Sequence, residues 1–188
     1  VNSNQKLDFK IEESAESLDA VVIEKKTTDF SLKKPEMSVN TISADKIKEV
    51  PVVFGEADVI KTITLLPGVT SGGEGASGFN VRGGAADQNL ILLDEATIFN
   101  SSHLFGFFSV FNPEAIKNLK LYKGGIPARY GGRVSSVLDI YQKEGNSNEF
   151  HGSGGIGSVS SRLLLEGPIN KEKGSFLVGG RSSYAHLF

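Results

Sequence analysis

Paired carboxylates at Asp94 and Glu95 are the first candidates for chemistry in this sequence, because they directly follow the apolar run of residues 90–93. Carboxylates at the end of a strand can act as general acid and base. Adjacent residues on a strand point to opposite faces, so these two cannot act on one bond as a matched pair. The pattern favours a strand terminus at which Asp94 forms a turn or pairs with a charge.

Two glycine-rich loops invite a phosphate-binding interpretation; they read SGGEGASG (71–78) and VRGGAAD (81–87). A phosphate loop needs its glycines between a strand and a helix N-terminus, together with a lysine or the GxGxxG spacing. The first loop leads into a predicted strand, and no such lysine follows it. The glycines therefore indicate a mobile loop or close backbone packing.

His103 lies in an aromatic loop, NSSHLFGFFSVFN (100–112), and no second ligand stands at zinc spacing from it. Two interpretations of the aromatics stay open. They form ordinary core, or they line a ligand-binding surface on which histidine adds a hydrogen bond. The phenylalanines concerned are Phe99, Phe105, Phe107, Phe108 and Phe111.

Three arginines stand beside or near glycines, which leave a side chain room to reach outward. They are Arg82, Arg129 and Arg133. A guanidinium can form a bidentate pair with a carboxylate, but carboxylates are not in excess near these positions. We therefore expect their partners on another part of the protein.

Composition excludes several classes of function. The 188 residues carry a net charge of −2 with acidic and basic residues interleaved, so nucleic acid is not a predicted partner. The absence of cysteine removes disulfides, zinc-thiolate sites and thiol catalysis, and it suits an oxidising compartment. No nucleophile–base set or metal cluster stands out, so no enzyme and no cofactor is predicted.

The elements that must position these residues follow from hydrophobic spacing. A helix is predicted after Ser43, and a second one places Val59, Ile60, Ile63 and Leu66 on one side before Pro67-Gly68. Strands FNVRG and LILLDE follow, then a helix NPEAIKNLKLY with Asn112 as its cap, and a strand VSSVLDIYQK. Together they predict an α+β domain with a small mixed sheet over residues 43–143.

After Gly145 the sequence changes to alternation typical of strands. Residues 149–166 are about twice the ~9–11 residues with which a strand crosses a bilayer, so we expect a reversal near 158–161. PINKEKG then predicts a turn, and residues 175–188 a further strand. Because that strand ends unpaired, we expect the chain to be part of a longer protein.

Taken in chain order, residues 43–143 resemble the plug domain of TonB-dependent outer-membrane transporters. That pattern has PGV after a helix, strands ending in RGG and LLDG, a helix with a basic residue before GP, a YG pair and a VINI-like strand. The wording of residues 100–125 and 128–140 is especially similar to transporters of the Bacteroidota. The matching segments are EADVIKTITLLPGV, FNVRGG, NLILLDEATI, NPEAIKNLKLYKGGIPARYGG and VSSVLDI.

The resemblance implies four regions. Residues 1–17 would end an upstream carboxypeptidase-regulatory-like domain, 18–42 would hold the TonB box and a linker, 43–145 the plug, and 146–188 the first strands of a transmembrane β-barrel. The TonB box would pair with TonB by strand addition in the periplasm; alternatively, it pairs with the strand KLDFKIEE upstream. Its residues would be Leu18, Asp19, Ala20, Val21, Val22 and Ile23.

The implied function is that of an outer-membrane plug that occludes its barrel and takes part in energised uptake of a scarce nutrient. The ligand would be a small nutrient, metal chelate, glycan or peptide, with a surface lipoprotein as a further candidate partner. The alternative is a receptor or secretion-associated module that binds a partner protein without transport. The ligand-facing apical loops would include Ser71, Gly72, Gly73, Glu74, Phe99, Asn100, His103 and Phe105.

The resemblance also implies a latch in which Arg82 and Lys123 face carboxylates of the barrel wall. The chain departs from the family at Lys123, where arginine is common and can pair in a bidentate way. It departs again at Glu95, where the family has glycine, and this weighs against a tight turn after Asp94.

Overall fold

The computed structural model describes residues 37–50, 57–73, 78–103, 108–157, 160–170 and 173–184. No helix in this part of the chain is long and apolar enough to cross a membrane. The helices are α1 (Ala44–Glu49) and α2 (Val59–Thr64). The strands are β1 (Val39–Ser43), β2 (Val69–Ser71), β3 (Phe79–Val81), β4 (Asn89–Leu93), β5 (Ala96–Thr97), β6 (Ser102–His103), β7 (Phe108–Ser109), β8 (Ile116–Tyr122), β9 (Ser136–Gln142), β10 (His151–Ile156), β11 (Ser160–Asn170) and β12 (Gly174–Ser183).

A five-stranded mixed sheet in the order β1-β8-β9-β4-β5 forms the centre of the first domain. Only the β4–β9 pair of this sheet is parallel; the other neighbours run antiparallel. Two-stranded pairs β2–β3 and β6–β7 lie outside the sheet. The predicted α+β domain with a small mixed sheet is confirmed, and β1 adds residues that precede Ser43.

Each face of this sheet carries an apolar cluster, since successive side chains of a strand point to opposite faces. The helices pack on one face, where Ile47, Ile63, Leu138 and Ile140 are fully buried. Burying one such side chain contributes about 1.5–3 kcal/mol. The opposite face carries a smaller cluster of Leu90, Leu92, Tyr122 and Val137, packed against Val39, Ile126 and Tyr130.

The helix predicted over NPEAIKNLKLY is wrong: the segment forms a turn followed by β8. The Glu114 N–H donates to the Asn112 side chain at 3.0 Å, and the Ala115 N–H donates to the Asn112 carbonyl, also at 3.0 Å. A register shift between Ile116 and Asn118 then inserts one extra residue into the strand. This bulge gives Ile116 and Leu119 the three-residue spacing of a helix although the backbone is extended.

A tight turn does join β4 to β5, contrary to the expectation from Glu95. Asp94 and Glu95 both adopt left-handed backbone, with φ of 46° and 71°, as a two-residue hairpin requires. The Asp94 N–H donates to the Ile140 carbonyl at 2.9 Å, and its carboxylate accepts from the Gln142 N–H at 3.0 Å. These bonds to β9 hold the turn where glycine is absent, so Asp94 is turn-forming, as one interpretation had it.

Strands β10, β11 and β12 form a separate antiparallel sheet, called here the C-terminal sheet. The reversal predicted near 158–161 falls between β10 and β11, and the turn predicted in PINKEKG falls between β11 and β12. Leu164 faces the first domain and is 3% exposed. The opposite face carries the exposed side chains Phe150, Ile156, Leu163, Leu165, Ile169 and Val178.

Candidate functional site

A cavity of about 320 Å³ is lined by Phe99 and Asn100, two of the residues predicted to face a ligand. Gly78 and Phe79 line it at the end of the first loop, and Phe99 and Asn100 line it from the second. The Phe99 ring is 88% exposed and is therefore available to a ligand. A volume of this size is at the lower end of small-molecule sites, which span ~300–1,000 Å³.

The start of the first loop lies next to this cavity. Ser71 pairs in register with Phe79, and the Gly72 N–H donates to the Gly78 carbonyl at 3.2 Å. Gly73 continues the loop with a φ of 123°, a backbone conformation that suits glycine. Glu74, predicted to face the ligand with these residues, lies outside the described residues.

The phenylalanines in and beside the aromatic loop differ in exposure, so each of the two interpretations that the sequence left open fits some of them. Phe108 and Phe111 are each 3% exposed and belong to the core, whereas Phe99 is exposed. The backbone of His103 pairs with that of Phe108. Phe105, Phe107 and the side chain of His103 lie outside the description.

Sequence reasoning did not assign Asp87, Ser101 and Arg133 to the ligand site, yet all three line the same cavity. The glycine neighbour of Arg133 can be seen in the sequence, but its closeness to Phe99 arises only from the strand order. Its guanidinium contacts the Gly132 carbonyl at 3.5 Å, and no described carboxylate lies within ion-pair distance. The cavity thus combines an aromatic ring, amide and hydroxyl groups, one cation and one carboxylate.

Asp58, 6% exposed, holds the second loop against helix α2. One carboxylate oxygen caps the helix by accepting from the Lys61 N–H at 3.0 Å. The other accepts from the Ser109 N–H at 2.6 Å. Since Ser109 pairs with Ser102 in the β6–β7 ladder, this one side chain fixes the end of the loop to the start of the helix.

Arg82 and Lys123, the predicted latch residues, lie close together around Ser38. The Arg82 Nη2 donates to the Ser38 hydroxyl at 2.9 Å, and the Lys123 N–H donates to the Ser38 carbonyl at 2.9 Å. The Lys123 Nζ donates to the Pro67 carbonyl at 2.8 Å. Neither has a carboxylate within ion-pair distance among the described residues, so the predicted partners stay a prediction.

A buried carboxylate on β9, Asp139, holds the loop that precedes this strand by accepting from Tyr130. It is 2% exposed and accepts from the Tyr130 hydroxyl at 2.7 Å and from the Tyr141 hydroxyl. The bond to Asp139, with burial, raises the pKa of Tyr141 to about 12, and burial followed by the same carboxylate raises the pKa of Tyr130. Arg129 donates to the Tyr130 hydroxyl at 2.8 Å.

The cavity is lined by groups that could bind a ligand. In the described residues, no group of three or more histidine, aspartate or glutamate side chains could hold a metal ion. Asp58 and Asp139 do not line this cavity. Asp58 holds the aromatic loop, whose Asn100 and Ser101 line it, and Asp139 lies at a separate cavity with Tyr130 and Tyr141.

Comparison with known proteins finds similar sequences and similar folds. A curated relative, the ferrienterobactin receptor of Escherichia coli (strain K12), is 33% identical over 133 residues, which cover 61% of this chain and 17% of the relative. The siderophore receptor PirA from Pseudomonas aeruginosa superposes with a TM-score of 0.58 at 23% identity, over 78% of this chain and 27% of that one. The copper transporter OprC superposes with a TM-score of 0.54 at 16% identity, over 77% of this chain and 23% of that one.

The chain thus spans about a sixth of the curated relative that it matches and about a quarter of each solved structure. The model of the TonB-dependent Receptor Plug Domain family matches residues 31–137, more than half of the chain. By its sequence and by its fold, the chain belongs to the TonB-dependent receptor plug domain family.

Proposed function

We propose that the chain is the plug and the first wall strands of a TonB-dependent outer-membrane transporter, which takes up a scarce nutrient. The sidedness of the C-terminal sheet carries this proposal. Its apolar face is exposed, with Ile156 at 90%, while the face toward the plug carries Arg162, Leu164 and Arg181. An apolar outer face with a more polar inner face is typical of a strand in a barrel wall that encloses a plug.

The cavity between the apical loops is the proposed plug contribution to ligand binding. We favour a metal chelate, because the similar proteins are by name a ferrienterobactin receptor, a siderophore receptor and a copper transporter. The exposed Phe99 would give contact area to the organic part of a chelate, and the Arg133 guanidinium would suit one that carries negative charge. Phe99→Ala should weaken binding of a ferric chelate to intact cells. Phe111→Leu, at a buried position, should change the affinity little.

TonB is the proposed partner of residues 18–23, in the periplasm. Strand addition depends on backbone N–H groups, and proline removes one and fixes φ. We expect Val22→Pro to abolish energised uptake while surface binding of ligand is unchanged, and Val22→Ala to be mild. Normal uptake by the proline variant would place the TonB contact elsewhere. Uptake that does not depend on TonB at all would favour the alternative, a module that binds a partner without transport.

Arg82, with Lys123 as a weaker partner, is proposed to face carboxylates of the wall outside this chain. In the whole protein, Arg82→Ala should loosen the plug and raise passive leak, because a wall carboxylate would lose its partner. Ser38→Ala is the matched control, since it removes only the internal bond of the guanidinium. Equal leak in the two variants would mean that the internal bond, and not a wall contact, explains the effect.

A further inference from the structure

Two arginines of the C-terminal sheet face the same short segment of the plug, residues 108–115, called here the docking loop. Arg162 on β11 and Arg181 on β12 stand directly opposite each other in the strand register. Like charges in that position repel, so the arrangement costs stability unless each guanidinium finds its own acceptor. In the part of the chain that the structure describes, Arg181 has a hydrogen-bond acceptor in the docking loop and Arg162 has an ion-pair partner there.

The Arg181 Nη2 donates to the Ser109 carbonyl. The Arg162 Nε lies 3.7 Å from a carboxylate oxygen of Glu114, whose other oxygen accepts from the Lys48 Nζ at 2.9 Å. Burial alone would raise the pKa of Glu114, but the hydrogen bond and charge of Lys48, with the charges of Arg162 and Lys143, hold it below its ordinary value of 4.5. Glu114 is therefore charged at neutral pH and faces both the plug helix α1 and the wall.

Glycines allow this contact to form. A Cβ at Gly155 would lie 3.2 Å from the Arg162 Cζ, so glycine on β10 leaves room for the guanidinium. A Cβ at Gly179 would lie 2.8 Å from the Leu164 Cδ1 and 3.1 Å from the Asn112 Nδ2, so glycine on β12 leaves room both for Leu164 and for the docking loop.

We propose that Arg162 and Arg181 bind the docking loop to the barrel wall, an interaction called here the grip. The grip seats the plug and, through Ser109, fixes the aromatic loop of residues 100–112 relative to the wall. The inference rests on the proposed role of the C-terminal sheet as barrel wall. The grip differs from the proposed latch of Arg82 and Lys123. In the latch the cations lie on the plug, whereas in the grip they lie on the wall and their partners lie on the plug. Glu114 acts as a positioning residue.

The test is the conductance of the whole purified protein in a planar bilayer under moderate urea, where a loosened plug opens the pore. Arg162→Gln and Glu114→Gln should each raise the open fraction about threefold, since a partly exposed ion pair contributes little more. Glu114→Gln also breaks the ion pair with Lys48. The double variant should therefore match Glu114→Gln alone and not reach about ninefold, because the interaction of Arg162 with Glu114 can be lost only once. Gly155→Val displaces the guanidinium without changing any charge and should add nothing to Arg162→Gln.

Single variants that match the parent, or a double variant whose effects multiply, would overturn the grip. The assay needs neither ligand nor TonB, so it does not depend on transport. A parent protein that never conducts under urea would contradict the barrel wall itself, and the grip with it. A conducting parent with unaffected variants would contradict the grip alone.

Discussion

Substitution of Asp58 should show how much one carboxylate contributes to stability by holding the aromatic loop. Asp58→Ala removes the helix cap, a loss of about 1 kcal/mol. It also leaves the buried N–H of Ser109 without its acceptor, which costs about 1–3 kcal/mol. Relief of a buried charge offsets part of this loss. We therefore expect the free energy of unfolding to fall by roughly 2–3 kcal/mol, a large part of the ~5–15 kcal/mol of a typical domain.

Asp58→Asn is the matched control, because asparagine has one acceptor oxygen and caps helices as well as aspartate does. It can keep the bond to the Lys61 N–H or the bond to the Ser109 N–H, but not both. We expect about half of the loss seen with alanine. Urea unfolding followed by far-UV circular dichroism should show a lower midpoint with an unchanged slope. An alanine variant within about 0.5 kcal/mol of the parent would refute the reasoning, because surface-like substitutions stay in that range.

Three further predictions concern the turn and the titratable groups. Glu95→Gly should raise the free energy of unfolding by about 1 kcal/mol, because φ is 71° there, and Glu95→Ala should not; urea midpoints decide this. In an ultraviolet titration, the phenol of Tyr141 should ionise near pH 12, and its pKa should shift toward 10 in Asp139→Asn. Because folding raises this pKa, the hydrogen bond of Tyr141 stabilises the fold fully below pH 10, and this stabilisation is lost as pH rises through about 12. The pKa of Glu114 is lowered, so its stabilising effect is full above pH 4.5 and falls as pH drops below it; Glu114→Gln should lack this acid dependence of the urea midpoint.

Strands and helices whose apolar spacing is regular could be predicted from the sequence. Strand β4 and helix α2 have uninterrupted patterns, and both are where the spacing placed them. Strand β8 was misassigned because its bulge imposes three-residue spacing on an extended backbone. A bulge depends on the partner strand, and a single segment of sequence does not contain that partner.

The site was predictable only in part, because its contacts join residues distant in sequence. Phe99 and Asn100 were selected from local composition, but Asp58, the carboxylate that holds the loop, is 51 residues from Ser109, whose N–H it accepts. Likewise the latch residue Arg82 is bonded across 44 residues to Ser38. Local pattern identifies which side chains are unusual, whereas strand order decides which of them meet.

The turn at Asp94 and Glu95 shows how tertiary contacts override a local preference. Glycine would adopt the left-handed backbone of a two-residue hairpin at little cost, and glutamate there costs on the order of 1 kcal/mol. Two hydrogen bonds from Asp94 to β9 repay that cost, and both arise only because β9 lies parallel beside β4. In the same parallel pair Asp139 lies opposite Leu92, and its carboxylate accepts from the Tyr130 hydroxyl. A change that disturbs the β4–β9 pair should therefore loosen the turn and the loop together, although neither is close to the other in sequence.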